Sequence, residues 1–259
     1  MRKRLFAILL LLPSTPLPTH AASPPCEGVV VDSSLPKSTR AGQLADQALV
    51  CLKANKPIQA IASLSELIGD EPDNVQAYLN RGNLFVRMGQ FDAGFADYSH
   101  VIALEPDHFE GWYNRGSARL AAAEYDGAIA DLTEAIKLKP DLARAYCNRG
   151  LGLLRNGDHD KARDDFEKGM KIKVELPLCY YGRGEVALSE GRYQEAIEDL
   201  TIGINLKPAA EALAHRATAY ERLGESSKAL RDYRNALSLR PRFETAQMGI
   251  ARLTQNQQN

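Results

Sequence analysis

The tripeptide Asn-Arg-Gly occurs at Asn80-Arg81-Gly82, again at Asn114-Arg115-Gly116 and again at Asn148-Arg149-Gly150. An arginine beside a glycine could serve a phosphate, but that chemistry needs a glycine-rich loop opening a helix. The periodicity around these glycines puts each one inside a helix. Other reactive side chains are scattered. His100, His108, His159 and His215 each stand alone, without a Cys or His at zinc-ligand spacing. No Gly-x-Ser-x-Gly elbow, His-Glu-x-x-His pair or Cys-x-x-Cys is present. The acidic residues recur with the repeat and form no unique pair. These observations predict no catalytic residues, no metal site, no cofactor, and a protein that is not an enzyme.

The spacing of the tripeptide belongs to a longer pattern. Aligned segments begin at Ala41, Val75, Phe109, Ala143, Pro177 and, after one deletion, Ala210. Repeat position 8 is always small: Ala48, Gly82, Gly116, Gly150, Gly184, Ala217. So is position 20: Ala60, Gly94, Ala128, Ala162, Ala196, Ala229. Position 24 is large: Leu64, Tyr98, Leu132, Phe166, Leu200, Tyr233. Position 32 is Pro72, Pro106, Pro140, Val174, Pro208, Pro241. Positions 4, 8 and 11 share one helical face, as do 20, 24, 27 and 28. Each segment therefore encodes two amphipathic helices. Gly89, Gly157, Gly191 and Gly224 mark the turn between them, and the proline ends the second helix. Small residues at 8 and 20 let the two backbones approach. One hairpin buries too little apolar surface to be stable alone, so the hairpins must stack.

Within the tripeptide, glycine is thus a packing residue. Arginine occupies position 7, as Arg81, Arg115, Arg149, Arg183 and Arg216. Aspartate occupies position 23, as Asp97, Asp131, Asp165, Asp199 and Asp232. The first segment lacks both and carries Gln47 and Ser63. Types that appear and vanish together predict an ion pair between the two helices of one hairpin, with solvated surface charges as the alternative.

The pattern resembles the tetratricopeptide repeat family, from Ala41 to Phe243; the third segment, "WYNRGSARLAAAEYDGAIADLTEAIKLKP", shows it best. The resemblance implies an all-α fold, a right-handed α-solenoid of six helix-turn-helix repeats (41–74, 75–108, 109–142, 143–176, 177–209, 210–243). First helices would line a concave groove. The remainder, 244–259, reads as a capping helix and tail.

The resemblance also places positions 2, 5, 6, 9, 12 and 13 on the groove. Asparagine at position 6 can both donate to and accept from an extended peptide. The expected peptide-binding residues are Asn80, Asn83, Tyr113, Asn114, Arg144, Asn148 and Tyr181. One subfamily clamps C-terminal carboxylates there. Asn83, Asn114 and Arg144 match its pattern, but Leu79 and Asn148 replace two of its cations. Leu79, Val86, Leu120, Cys147, Leu151, Leu154 and Leu188 are expected to give the groove an apolar floor suited to an extended or helical segment. The implied partner is a protein or peptide. The alternative is a self-associating structural protein whose groove holds its own leader or a second copy.

The chain's start has its own logic. Basic "MRKR", apolar Leu5 to Leu12 and a proline-rich, small-residue stretch make a secretory signal, 1–22, too short to span a bilayer. Residues 23–40, polar with three prolines, read as a flexible leader. Export would place the protein in the periplasm, or outside the cell. There the four cysteines could pair, Cys26 with Cys51 and Cys147 with Cys179, or stay as free thiols. A formal net charge of −1 without blocks of like charge favours neither nucleic acid nor an anionic membrane as partner. No membrane insertion is expected after signal cleavage, and a monomer or weak homodimer is.

Overall fold

A computed structural model describes Cys26 and residues 31–256. Among them are thirteen α-helices and no strand. The chain falls into two compact units, Met1–Asp70 and Glu71–Asn259. The signal segment, 1–22, lies outside the described residues.

The N-terminal unit contains α1 (Lys37–Lys53) and α2 (Pro57–Asp70). Helix α1 begins at Lys37, so the last four residues read as leader are helical. Pro36 explains this: at φ −53° it is preset for a helix start, and the Thr39 and Arg40 amides both reach its carbonyl at 3.0 Å. Arg40 then pairs with Asp70 at the far end of α2, its Nε donating to Oδ2 at 2.6 Å. Asp70 occupies a repeat position that carries Leu or Ile elsewhere, and the guanidinium holds its carboxyl below the usual range. A disulfide joins Cys26 to Cys51 on α1.

The C-terminal unit contains five hairpins and a last helix. The hairpins are α3 (Val75–Arg87) with α4 (Phe91–Leu104), α5 (Phe109–Ala121) with α6 (Tyr125–Leu138), α7 (Ala143–Arg155) with α8 (His159–Ile172), α9 (Pro177–Ser189) with α10 (Tyr193–Leu206), and α11 (Ala210–Arg222) with α12 (Ser226–Leu239); α13 is Glu244–Asn256. Four inter-helix turns use a glycine at positive φ, between 75° and 87°. The α5–α6 turn instead puts Ala123 at φ 62°, a conformation that costs an L-residue about 1–2 kcal/mol. Prolines follow α4, α6, α10 and α12 by two residues; after α8 the place is taken by Val174, 65% exposed.

Close approach within hairpins rests on position 8. A Cβ on Gly82, Gly116, Gly150 or Gly184 would lie 2.8 Å from the large position-24 side chain of its own repeat, Tyr98, Leu132, Phe166 or Leu200. Those four side chains are themselves fully buried. This fills the space that a larger position-8 residue would need.

The five Arg–Asp pairs form inside their hairpins, each bidentate. Arg149 donates to Asp165 at 2.7 and 2.8 Å, and the other four lie between 2.6 and 3.0 Å. The aspartate side chains are only 1–9% exposed, so these are not solvated surface charges. The remaining guanidinium nitrogen reaches back one repeat. Arg115, Arg149 and Arg216 donate to the hydroxyls of Ser99, Thr133 and Thr201. One arginine thus links three helices.

The second disulfide, Cys147–Cys179, joins α7 to α9. Gly169 on α8 makes room for it: a Cβ there would sit 2.7 Å from one sulfur and 3.0 Å from the other. This staple crosses the joint that lacks the position-32 proline.

Candidate functional site on the concave face

In the C-terminal unit each first helix touches the first helix of the next repeat, α3–α5, α5–α7, α7–α9, α9–α11 and α11–α13, while successive second helices barely meet. First helices therefore line the inner side. The bonds that cross between them show which positions face inward. Asn148 Nδ2 donates to Ser117 Oγ at 2.9 Å, linking position 6 to the preceding position 9. Arg155 grips Glu185 at 2.6 and 3.1 Å, linking position 13 to the following position 9. Arg252 grips Glu221 at 2.5 and 2.7 Å, linking position 9 to the preceding position 12.

The expected site residues have different fates. Asn114 is half-buried, and its amide makes no hydrogen bond among the described residues. Asn83 is exposed and accepts from the Tyr98 hydroxyl at 2.7 Å, keeping its NH2 free. Asn80 accepts from Gln76 one turn earlier on its own helix, at 3.1 Å. Asn148 is tied to Ser117 through its NH2 and keeps its carbonyl. Arg144 is exposed, without a partner among the described residues. Tyr113 is half-buried, packed with Leu132, Ile136 and Ala145.

Tyr181 does not join them. Its ring lies against Gly203, and its hydroxyl donates to the Gly203 carbonyl at 2.9 Å and to the Lys207 carbonyl. It serves the end of α10, where free carbonyls need donors. The expected apolar floor is also reduced. Leu79, Cys147 and Leu154 are buried in the protein's own core, Cys147 as a half-cystine. Leu120, Leu151 and Leu188 are half-buried.

Sequence reasoning missed Ser117, the hydroxyl that completes the polar strip, and the Arg252–Glu221 pair. Both were detectable in principle, since the partners stand 31 residues apart, one repeat less three positions. The asparagine series stops at Gly182 because the Phe166 ring occupies the space a side chain would need there. His215 follows at position 6 of the next repeat, and burial pushes its pKa down, with Glu185, Arg155 and Glu211 the charged groups around it. Among the described residues no three His, Cys, Asp or Glu side chains converge on a metal-sized site.

Family profiles described as tetratricopeptide or TPR repeat match residues 75–108, 123–157, 143–173 and 210–243. The chain is a tetratricopeptide repeat protein. Solved structures agree with the right-handed α-solenoid. PilF of Pseudomonas aeruginosa superposes with TM-score 0.70 at 18% identity, covering 83% of this tetratricopeptide repeat chain and 99% of that one. PilW, a widely conserved type IV pilus biogenesis factor, gives 0.70 at 16% identity, covering 80% and 97%. MamA from Desulfovibrio magneticus RS-1 gives 0.59 at 22% identity, covering 64% and 94%. At these identities the likeness is one of fold. No curated protein matches the sequence.

Proposed function

We propose that this protein is an exported, non-enzymatic scaffold whose C-terminal unit holds a peptide or helical segment of a partner protein on its concave face. The observation that carries this reading is the Asn114 amide. It is half-buried on the inner side, with both donor and acceptor unused, between Asn83 and Asn148, which keep one free group each. An unspent amide in a concave setting suits a ligand's main chain.

Export is supported by the signal-like first residues and by the two bonded cysteine pairs, which fit an oxidising compartment. The periplasm is the compartment we assign. No helix among the described residues is long and apolar enough to cross a membrane. A role in assembling an envelope or secretion complex is supported by analogy with the pilus biogenesis factor alone.

Photoreactive groups placed at Tyr113 and Asn114 in living cells test the reading. Crosslinks to a second protein species are expected. Crosslinks only to the chain's own residues 23–40, or only to another copy with a dimeric mass in dilute solution, would replace it by self-association.

A further inference from the structure

Neighbouring second helices of the C-terminal unit barely meet, so a slot opens between them on the outer side, floored by the first helix that lies between. The residue at position 11 of that first helix decides what fills the slot. Between α4 and α6 it is Arg119. Its Nη1 donates to Asp131 at 2.7 Å, its guanidinium lies 5.9 Å from the Phe95 ring centroid, and Gly127 leaves room for its stem. Between α10 and α12 it is Tyr220. That ring is half-buried, with the Lys228 ammonium 5.2 Å and the Arg216 guanidinium 6.0 Å from its centroid. Between α8 and α10 it is only Ala187, but paired charges crowd the walls: Arg183 with Glu167 and Asp199, Arg163 with Glu190, and Arg192 with Glu195.

The slot between α6 and α8 is left open. Position 11 is Leu153, and a cavity of about 410 Å³ remains over it. Its walls repeat those of the tyrosine slot. Ile129, Thr133, Arg149 and Lys161 stand where that slot has Ile197, Thr201, Arg216 and Lys228. The same bonds hold them. Arg149 reaches Asp165 and Thr133 as Arg216 reaches Asp232 and Thr201. Lys161 pairs with Asp158 as Lys228 pairs with Glu225. The α6–α8 slot thus keeps the two cations that flank a ring and lacks the ring.

We propose that this slot is a second docking site, separate from the concave face, and that it takes one aromatic side chain of a partner protein. Tyr220 shows that a phenol ring fits between such walls. Here the ring would enter from solvent, lie on Ile129 and Leu153 and be flanked by Arg149 and Lys161. A cation over a ring face favours an aromatic residue over an aliphatic one. Thr133, Arg149 and Asp165 are spent on one another, so a free small molecule would find no polar group at the floor to fix its orientation. A ring carried on a polypeptide is positioned by its own flanking chain. At the rim Asp164 and Lys168 replace Arg231 and Asn235. One charge of each sign favours neither an acidic nor a basic segment.

The test uses the full oxidised chain and a displayed library of random peptides of about twelve residues. Peptides are kept if they bind the wild type and not Leu153→Tyr, which restores the ring. Peptides held on the concave face bind both and are discarded, so the two sites are tested apart. Survivors are expected to share one Tyr, Phe or Trp whose change to Leu weakens binding about tenfold. Lys161→Gln is expected to weaken them about two- to fivefold. Tyr220→Leu, which empties the sister slot, should add a second binding equivalent. Should Leu153→Tyr fold poorly, a photoreactive group placed at Lys168, on the rim, identifies the same peptides by crosslinking. Survivors without an aromatic residue, or no second equivalent in Tyr220→Leu, would overturn the aromatic assignment. No survivors would overturn the site and leave the concave-face reading standing. N-acetyltyrosinamide binding as tightly as the best peptide would overturn the choice of a partner protein in favour of a small molecule.

Discussion

The hairpin α1–α2 and the five hairpins of the C-terminal unit solve one packing problem with different chemistry. In the five, positions 7 and 23 are an arginine and a buried aspartate. In α1–α2 they are Gln47 and Ser63, and the Ser63 hydroxyl donates to the Gln47 side chain at 2.7 Å, also buried. What the position demands is therefore a satisfied polar bond between the helices, and charge is optional. In the charged version the remaining guanidinium nitrogen of Arg115, Arg149 and Arg216 also ties one repeat to the preceding one. The neutral hairpin is instead braced by the Arg40–Asp70 pair and the Cys26–Cys51 disulfide.

The comparison is most easily broken at Asp165. Replacing it with alanine strands the Arg149 guanidinium and should cost about 3–5 kcal/mol in urea unfolding. The double change Arg149→Gln with Asp165→Ser copies the first hairpin and should recover most of that loss, since no buried charge is left behind. A loss as large as that of Asp165→Ala would show that the charge itself is required. Replacing Cys147 and Cys179 together by serine should cost about 2–4 kcal/mol. Hydrogen exchange should rise first where α8 meets α9, because no proline stops the chain there. Ser63→Ala, in the neutral hairpin, should cost only about 1–2 kcal/mol; parity with Asp165→Ala would end the distinction drawn here. Ala123→Gly should raise stability by about 1 kcal/mol by relieving the positive φ.

The smallest effect concerns His215. Its folded pKa lies below the ordinary 6.5, so the unfolded chain binds its proton more readily. The stability it supports is fully present above about pH 6.5 and is lost as pH falls through the lowered value. His215→Gln should flatten the melting temperature between about pH 5 and 7.

The fold was legible because the chain repeats it. Any one small residue at position 8 means little, but six in register, with six prolines or their substitute, leave few alternatives. The Arg–Asp partnership was legible for the same reason, down to its replacement in the first segment. The leader's end was misplaced by four residues because Pro36 and the long-range Arg40–Asp70 pair, outside the repeat, decide where α1 begins. The site was only partly legible. Tyr181 sits at a groove position, yet its hydroxyl is taken by the carbonyls at the end of α10. Asn83 and Asn148 stand at the expected positions but are half spent on Tyr98 and Ser117.

By itself the sequence determined the secondary structure, the pairing of helices within each hairpin and the face each helix buries, because those follow from period and residue size over a few turns. Only the tertiary structure decided which cysteines bond, which amides stay unspent and which guanidiniums are closed in ion pairs. Those outcomes depend on ångström-scale distances between side chains of different repeats, and a repeating pattern sets the spacing of backbones without choosing among the hydrogen-bond partners that spacing allows.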